Sequence, residues 1–400
     1  MTTPASLYRN AIDLNRYSNS VARRIINAYD AIILDAVAQL QTLDEATAPV
    51  KAARLRAILA QLKDSLATWA GDATEITATD LQGLAELQSE FVEEQLKRVL
   101  PAGERNIVRS VEISPQFAQS VVVTDPTQIN VVTLSDDLFA AVQGAPQTFS
   151  LTAAQGATIT LPNGKVVEKA FRGIAEDQAE KFAQLVRQGL LTGEPTADIA
   201  RRIKGSLQFG QEAKSIKQLA LAGGELTKAT NHQVVTLVRT SVNQVANAAS
   251  QQIYEANQDI TKKYRFVATL DSRTSAICRA LDGREFEYGK GPMPPQHFNC
   301  RSTTVPIVDY EALGFDPPPE GKRAAAGGMV PADTSYGDWL YDKNSETGRK
   351  RQAEVLGLKA PYFRKLVRKY GAKDAVAKLV RDDGSELTLQ QLRSRYGRVQ

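Results

Sequence analysis

Apolar residues recur at steps of three and four along the first hundred positions. Val21, Ile25, Tyr29, Ile32, Ala36 and Leu40 form one stripe, Leu55, Ile58, Leu59, Leu62, Leu66 and Trp69 a second, and Leu84, Leu87, Phe91, Leu96 and Val99 a third. Such a period puts each set on one helix face, so three packed helices are predicted before Pro101. From about 111 to 167 the pattern changes to β-rich runs at 121–123, 129–134 and 158–161, separated by breakers such as Asp125-Pro126. Pro162-Asn163-Gly164-Lys165 predicts a hairpin turn between 158–161 and 165–167, because Asn-Gly accepts the positive φ angles of a two-residue loop. Helical spacing returns with Phe182, Leu185, Val186 and Leu190. Gly193-Glu194-Pro195 interrupts it, and Thr196 stands as the N-cap of a short helix carrying Ile199 and Ile203. A longer helix is predicted from about 227 to 257, with Val235, Val238, Val242, Val245 and Ala249 along one side.

Between 316 and 334, Pro317-Pro318-Pro319 and Ala324-Ala325-Ala326-Gly327-Gly328 offer little that can be buried, which predicts an extended linker open to proteolysis. Beyond it Trp339, Leu340, Leu356, Phe363, Leu366, Leu387, Leu389 and Leu392 supply a modest apolar set for a helical tail. The expected fold class is α+β: predominantly helical, with a small strand insert, a compact mixed motif domain and a basic helical tail. The expected units are an N-terminal helical domain at 1–110, the β-rich insert at 111–170, the motif domain at 171–315, the linker at 316–334 and the tail module at 335–400.

Composition sharpens this picture only in places. The 400 residues exceed one ordinary domain, and 42% hydrophobic with 24% charged residues excludes collagen-like and wholly disordered chains. A net charge of +4 is too balanced for a chain that coats nucleic acid over its whole surface. The excess is local: positions 335–400 carry 15 basic against 8 acidic residues, which leaves the preceding 334 at −3. Arg349-Lys350-Arg351, Arg364-Lys365 and Arg368-Lys369 are the clusters, open to a solvated-face reading or to sequence-independent contact with DNA phosphates. No apolar run is long enough for a membrane span, and no signal-peptide pattern opens the chain, so synthesis in the cytoplasm is expected.

Both cysteines, Cys278 and Cys300, fall in one short stretch with His297, one of the chain's two histidines. A strand, a turn helix and a second strand fit 266–306. Asp271 is expected to cap the short helix, and Asp282-Gly283 to make a turn with positive φ. Thiolates with an imidazole suit tetrahedral zinc, with Asp271, Asp282 or water as a fourth ligand. A buried thiol pair with a hydrogen-bonded histidine and a disulfide are the alternatives. A Cys-His nucleophile pair is also conceivable, although nothing marks an oxyanion hole. A histidine-rich nuclease centre lacks the histidines, and no phosphate-binding glycine loop opens a helix. His232 is expected to be structural.

The ordered set Asp271-x-Arg273-Thr274, Cys278, Leu281-Asp282-Gly283 and Pro294-Pro295-x-His297-x-x-Cys300-Arg301 resembles the phage Mu F-like minor head protein family, also called phage head morphogenesis proteins. The likeness extends upstream through Arg239-Thr240 and the 189–203 segment, and downstream through Asp338-Trp339-Leu340 and Val355-Leu356-Gly357. The family commonly continues Cys-Arg-Cys, where this chain has Ser302, and often has an acidic residue where Ser241 stands. The resemblance implies a structural, low-copy protein inside the head of a tailed phage, bound at the portal vertex and aiding assembly, packaging or ejection. Its implied partners are the portal protein, the major capsid or scaffolding protein and packaged double-stranded DNA. The alternative is a virion-carried metal-dependent nuclease or toxin-like transferase. The resemblance covers roughly residues 182–400, and residues 1–170 lie outside it.

Overall fold

The computed structural model describes residues 3–43, 48–115, 117, 130–131, 149–150, 167–208, 213–317, 321–342 and 346–379. Two long helices, α1 (Thr3–Gln41) and α2 (Ala48–Val99), open the chain. The second and third apolar stripes thus lie on one 52-residue helix, not two. Ala70, Ala73, Thr77 and Leu81 carry its buried face across the gap between them. Their small side chains hid that continuity, and the hydroxyls of Thr74 and Thr77 are satisfied within the helix by the carbonyls of Ala70 and Ala73.

Of the β-rich insert, only the short antiparallel pair β1 (Asn130–Val131) and β2 (Phe149–Ser150) is described. The remainder of the predicted strand runs and the 162–165 turn lie outside the described residues. Val167, expected to end a strand, begins helix α3 (Val167–Leu191). Then come α4 (Thr196–Lys204), α5 (Ile216–Ala222) and α6 (Glu225–Ala256). Thr196 is the first residue of α4, and Pro195 occupies the capping position.

These helices share one core with α1 and α2, so the first hundred residues do not form a core of their own. Trp69 is its hinge point: its ring lies 5.4 Å from Tyr29 and edge-on to Phe171 at 5.9 Å, and its Nε1 donates to the Ile25 carbonyl at 3.0 Å. Each such large side chain, fully buried, contributes roughly 1.5–3 kcal/mol. This bundle is the platform for the motif.

The motif is a three-stranded antiparallel sheet in the order β4-β3-β5: β3 (Thr261–Val267), β4 (Glu285–Glu287) and β5 (Thr303–Val308). Helix α7 (Ala276–Leu281) fills the β3–β4 connection, and the short α8 (Tyr310–Leu313) follows β5. Ser275, not Asp271, caps α7, its hydroxyl accepting from the Cys278 N–H at 3.2 Å. Gly283 has φ +74°, as its turn requires.

Within the expected linker, residues 321–334 are instead folded. Residues 322–331 form an antiparallel hairpin, β6 (Lys322–Ala325) and β7 (Gly328–Pro331). Ala326 and Gly327 make its turn, with Gly327 at φ +102° and Gly328, the first residue of β7, at φ +139°. Ala326 N–H donates to the Leu270 carbonyl at 2.8 Å, so the hairpin is tied to the motif. The Ala/Gly run that looked unable to pack supplies backbone, and Arg323 supplies the buried side chain.

The tail comprises α9 (Tyr336–Tyr341), α10 (Glu346–Leu356), α11 (Ala360–Tyr370) and α12 (Ala372–Leu379). Tyr336, Trp339, Leu340, Phe363, Leu366, Ala375 and Val376 form its small core together with Leu270 of the motif. Leu387, Leu389 and Leu392 lie outside the described residues.

Candidate functional site

The turn helix α7 and the 294–301 loop bring Cys278, His297 and Cys300 together, and among the described residues this is the one Cys/His/acid group close enough to share a metal ion. Cys278 Sγ lies 3.7 Å from Cys300 Sγ and 3.3 Å from His297 Nε2. The cysteines are free, so the disulfide alternative is not the one formed. His297 Nδ1 donates to the Phe298 carbonyl at 2.8 Å, which leaves Nε2 facing the sulfurs.

Burial opposes a charged Cys300, but the Cys278 thiol and the His297 imidazole facing it bring its pKa well below the usual thiol range. Cys278 is pushed up by its hydrogen bond with Cys300 and by burial. Burial pulls His297 down, yet the Cys300 sulfur outweighs it and the net shift is upward. A thiolate facing an imidazole could in principle act as a nucleophile, but the two thiols are 1% and 2% exposed, beyond the reach of a substrate.

Zinc fits this geometry. With Zn–S near 2.3 Å, tetrahedral ligands stand about 3.8 Å apart, close to the separation of these sulfurs. Neither expected carboxylate supplies the fourth ligand. Asp271 grips Arg301 with both oxygens at 2.5 and 2.8 Å, accepts from the Arg273 N–H at 3.0 Å, and takes the Thr274 hydroxyl at 3.2 Å. Burial would raise its pKa, but Arg301 and Arg273 hold it below the usual carboxylate value. Asp282, fully buried, accepts from the N–H groups of Ala268 at 2.7 Å and Tyr336 at 2.6 Å and pairs with buried Arg323 at 3.1 Å. A carboxylate whose partners are already cationic or backbone donors has no lone pair left for a metal. Two hydroxyls, those of Ser275 and Ser302, do face the Cys278 sulfur.

The motif's other residues are supports. Thr240 Oγ1 accepts from the Asn299 N–H at 3.0 Å, and Thr236 Oγ1 from Asn299 Nδ2 at 2.9 Å. Asn243 donates to the Ser302 carbonyl at 2.8 Å, and the Thr303 hydroxyl donates to Asn247 at 3.3 Å. Positions 236, 240, 243 and 247 share one face of α6, which holds the 299–303 segment against it; Asn299 itself sits at φ +58°. Sequence reading found Thr240 and missed Thr236, Asn243, Asn247 and Asn299. Their signal was a polar stripe at steps of four, three and four inside an apolar helix. Pro295 follows Pro294 through a cis peptide bond and precedes the ligand loop. Arg239, on α6, donates to Asn19 of α1 at 3.0 and 2.8 Å. His232 is exposed on α6, apart from the cluster.

The basic tail residues divide. Arg351 stacks over the Trp339 ring at 4.4 Å and donates to its carbonyl, and Arg364 donates to Gln352 at 3.0 Å. Lys350 pairs with Glu346 at the surface. Arg349, Lys365, Arg368 and Lys369 are exposed.

The motif is a small antiparallel sheet on a helical platform, with a sealed Cys-His-Cys group. Residues 180–305 match the family described as Phage Mu protein F like protein, so the resemblance carried by the 239–301 motif holds over that segment. Two curated proteins are similar to parts of the chain. One is the NAD(+)--arginine ADP-ribosyltransferase EFV of Enterococcus faecalis, 24% identical over 196 residues (45% of this chain, 35% of that protein). The other is an uncharacterized protein of Haemophilus influenzae, 27% identical over 142 residues (34% of this chain, 27% of that protein). The chain spans about a third of the length of these relatives. No solved structure matches. No helix among the described residues is long and apolar enough to cross a membrane.

Proposed function

We propose that the protein is a minor head protein of a tailed phage, seated at the portal vertex inside the capsid, where it aids head assembly, DNA packaging or genome ejection. The match over residues 180–305 carries this reading. Its partners are the portal protein, the major capsid or scaffolding protein, and packaged double-stranded DNA. The role is structural: the motif's conspicuous groups hold one another, and both thiols are sealed from solvent. Cys278, His297 and Cys300 hold a zinc ion that cross-links α7 to the 294–301 loop. The exposed Arg349, Lys365, Arg368 and Lys369 supply the sequence-independent contact with DNA.

The test is a phage lysate in which the gene is deleted or carries Cys300→Ala. Under the proposal, heads form in reduced number or stay empty by electron microscopy, and tagged protein co-purifies with portal protein. Full-headed, infectious particles lacking the protein would overturn it. Metal analysis of the purified chain checks the zinc arm, for which about one ion per chain is expected.

The similarity to the Enterococcus faecalis transferase favours a second reading, a virion-carried transferase acting on arginine. Incubation with labelled NAD and an arginine-bearing acceptor separates the two: label transfer would establish the transferase. The nuclease alternative gains nothing from the geometry, since His232 lies outside the cluster.

A further inference from the structure

A cavity of about 240 Å³ opens between α1 and the motif sheet, lined by Tyr8, Asn15, Thr269, Asp271, Arg273 and Arg301 among others. It is separate from the sealed Cys-His-Cys group, and its charges do not balance. Arg301 is held by Asp271, and Arg273 reaches the same carboxylate at 3.6 Å while remaining 78% exposed. Arg239 lies beside them. Its guanidinium bonds Asn19, one helical turn from the cavity-lining Asn15, and no carboxylate pairs with it among the described residues. Burial, together with the facing charges of Arg273 and Arg301, holds its pKa below the usual arginine value. The third arginine of the lining, Arg323, is matched by Asp282, and Arg239 stands outside the lining itself.

Asp271 is therefore shared by Arg301 and Arg273 while Arg239 has no carboxylate, so three guanidiniums stand against one acid and leave two positive charges at a partly buried site. No second carboxylate among the described residues pairs with them, and keeping an unpaired cation half out of water is costly. The three also come from separate places: α6, the turn after β3 and the segment leading into β5. A planar carboxylate is satisfied by one guanidinium fork, as Asp271 is by Arg301. Donors converging from three directions suit a tetrahedral oxyanion instead, and a phosphate carries about −1.5 to −2 at neutral pH.

We propose that the cleft lined by Asn15, Arg273 and Arg301, with Arg239 at its edge, is a phosphate-binding site. It takes a phosphate group bearing free oxygens, supplied as inorganic phosphate or as the terminal phosphate of a nucleic acid. This does not depend on the head-assembly reading.

The experiment follows thermal melting of the full chain in sodium phosphate and in sodium chloride of equal ionic strength. In parallel, a short 5′-phosphorylated oligonucleotide and its 5′-hydroxyl twin are titrated by fluorescence anisotropy. Phosphate is expected to raise the melting temperature in proportion to the logarithm of its concentration, as binding to the folded state requires. Arg239→Gln should melt at or above the parent temperature, because it removes an unpaired charge, and should lose the phosphate response. A merely structural arginine would lower melting and leave the response intact. Arg273→Gln, at an exposed position, keeps the test open should the first variant fail to fold, and is expected to weaken the response about tenfold, the loss of one charge-assisted fork. Preference for the phosphorylated oligonucleotide assigns a nucleic acid end; response to inorganic phosphate alone assigns the free ion. No response beyond that of chloride, an undiminished response in Arg273→Gln, or stabilisation by glutamate but not phosphate would overturn the site.

Discussion

Neither carboxylate oxygen of Asp30 has a hydrogen-bond partner, although the residue is only 5% exposed on α1. Burial pushes its pKa up to about 7, since a lone carboxyl group out of water is more stable protonated. In the unfolded chain it ionises near an ordinary value of about 4, so between these values the folded form holds a proton that the unfolded form has lost. The stability contributed here is therefore full below about pH 4 and falls as pH rises toward 7. Asp30→Asn is expected to match the parent near pH 4 and to exceed it by roughly 2–4 kcal/mol at pH 8, as urea denaturation at the two pH values would measure. Ser302 is the other telling residue. Its hydroxyl faces Cys278 where the family commonly has a third cysteine, so Ser302→Cys completes a Cys₃His set. Zinc affinity, read by competition with a chromophoric chelator, should rise at least about tenfold. Unchanged affinity would show that position 302 does not reach the ligand sphere.

Between elements, one buried ion pair organises three joints. Asp282 sits at the end of α7, Arg323 on β6 and Tyr336 at the start of α9, and the Asp282 carboxylate holds the other two. Arg323 also donates to the carbonyls of Ala268 and Thr334, so it ties sheet, hairpin and tail together. Removing one member of such a pair strands the other, at a cost of about 3–5 kcal/mol. Trypsin is therefore expected to cleave slowly after Lys322 and Arg323 in the parent chain, whose hairpin backbone is paired. In Asp282→Ala, cleavage after these two residues should move to the earliest products of a timed digest. Parent and variant cutting there at equal rates would remove the pair from its anchoring role.

On the scale of the whole molecule, the tail docks on the motif through Leu270 and through Lys373, which donates to the Gly283 carbonyl at 2.7 Å. Basic residues consumed in holding that module together are distinct from those that face solvent. Arg351→Ala is expected to destabilise the tail by about 1–2 kcal/mol, through loss of the Trp339 stack and its hydrogen bond, without a matching loss of DNA affinity. Neutralising Lys365, Arg368 and Lys369 together in the full chain should weaken binding to two unrelated duplexes equally and reduce the salt slope by about 3, one for each phosphate left without its cation. Binding unaltered by that triple change would leave these residues as a solvated face.

Long apolar periodicity and local turn chemistry were legible without tertiary structure. The stripes of α1, α2 and α6 follow from a 3.6-residue period. The positive φ of Gly283 follows from its turn, and the approach of Cys278, His297 and Cys300 was readable from their clustering in one stretch. Partners remote in sequence were not legible. A lone Arg323 in an Ala/Gly-rich stretch looks like linker until Asp282, 41 residues away, is seen to neutralise it. Asp271 looks like a cap or a metal ligand until Arg301, 30 residues on, takes both of its oxygens. A charged side chain has no preferred partner in one dimension. Burial strengthens whichever opposite charge the fold brings within reach, and that choice belongs to the tertiary structure.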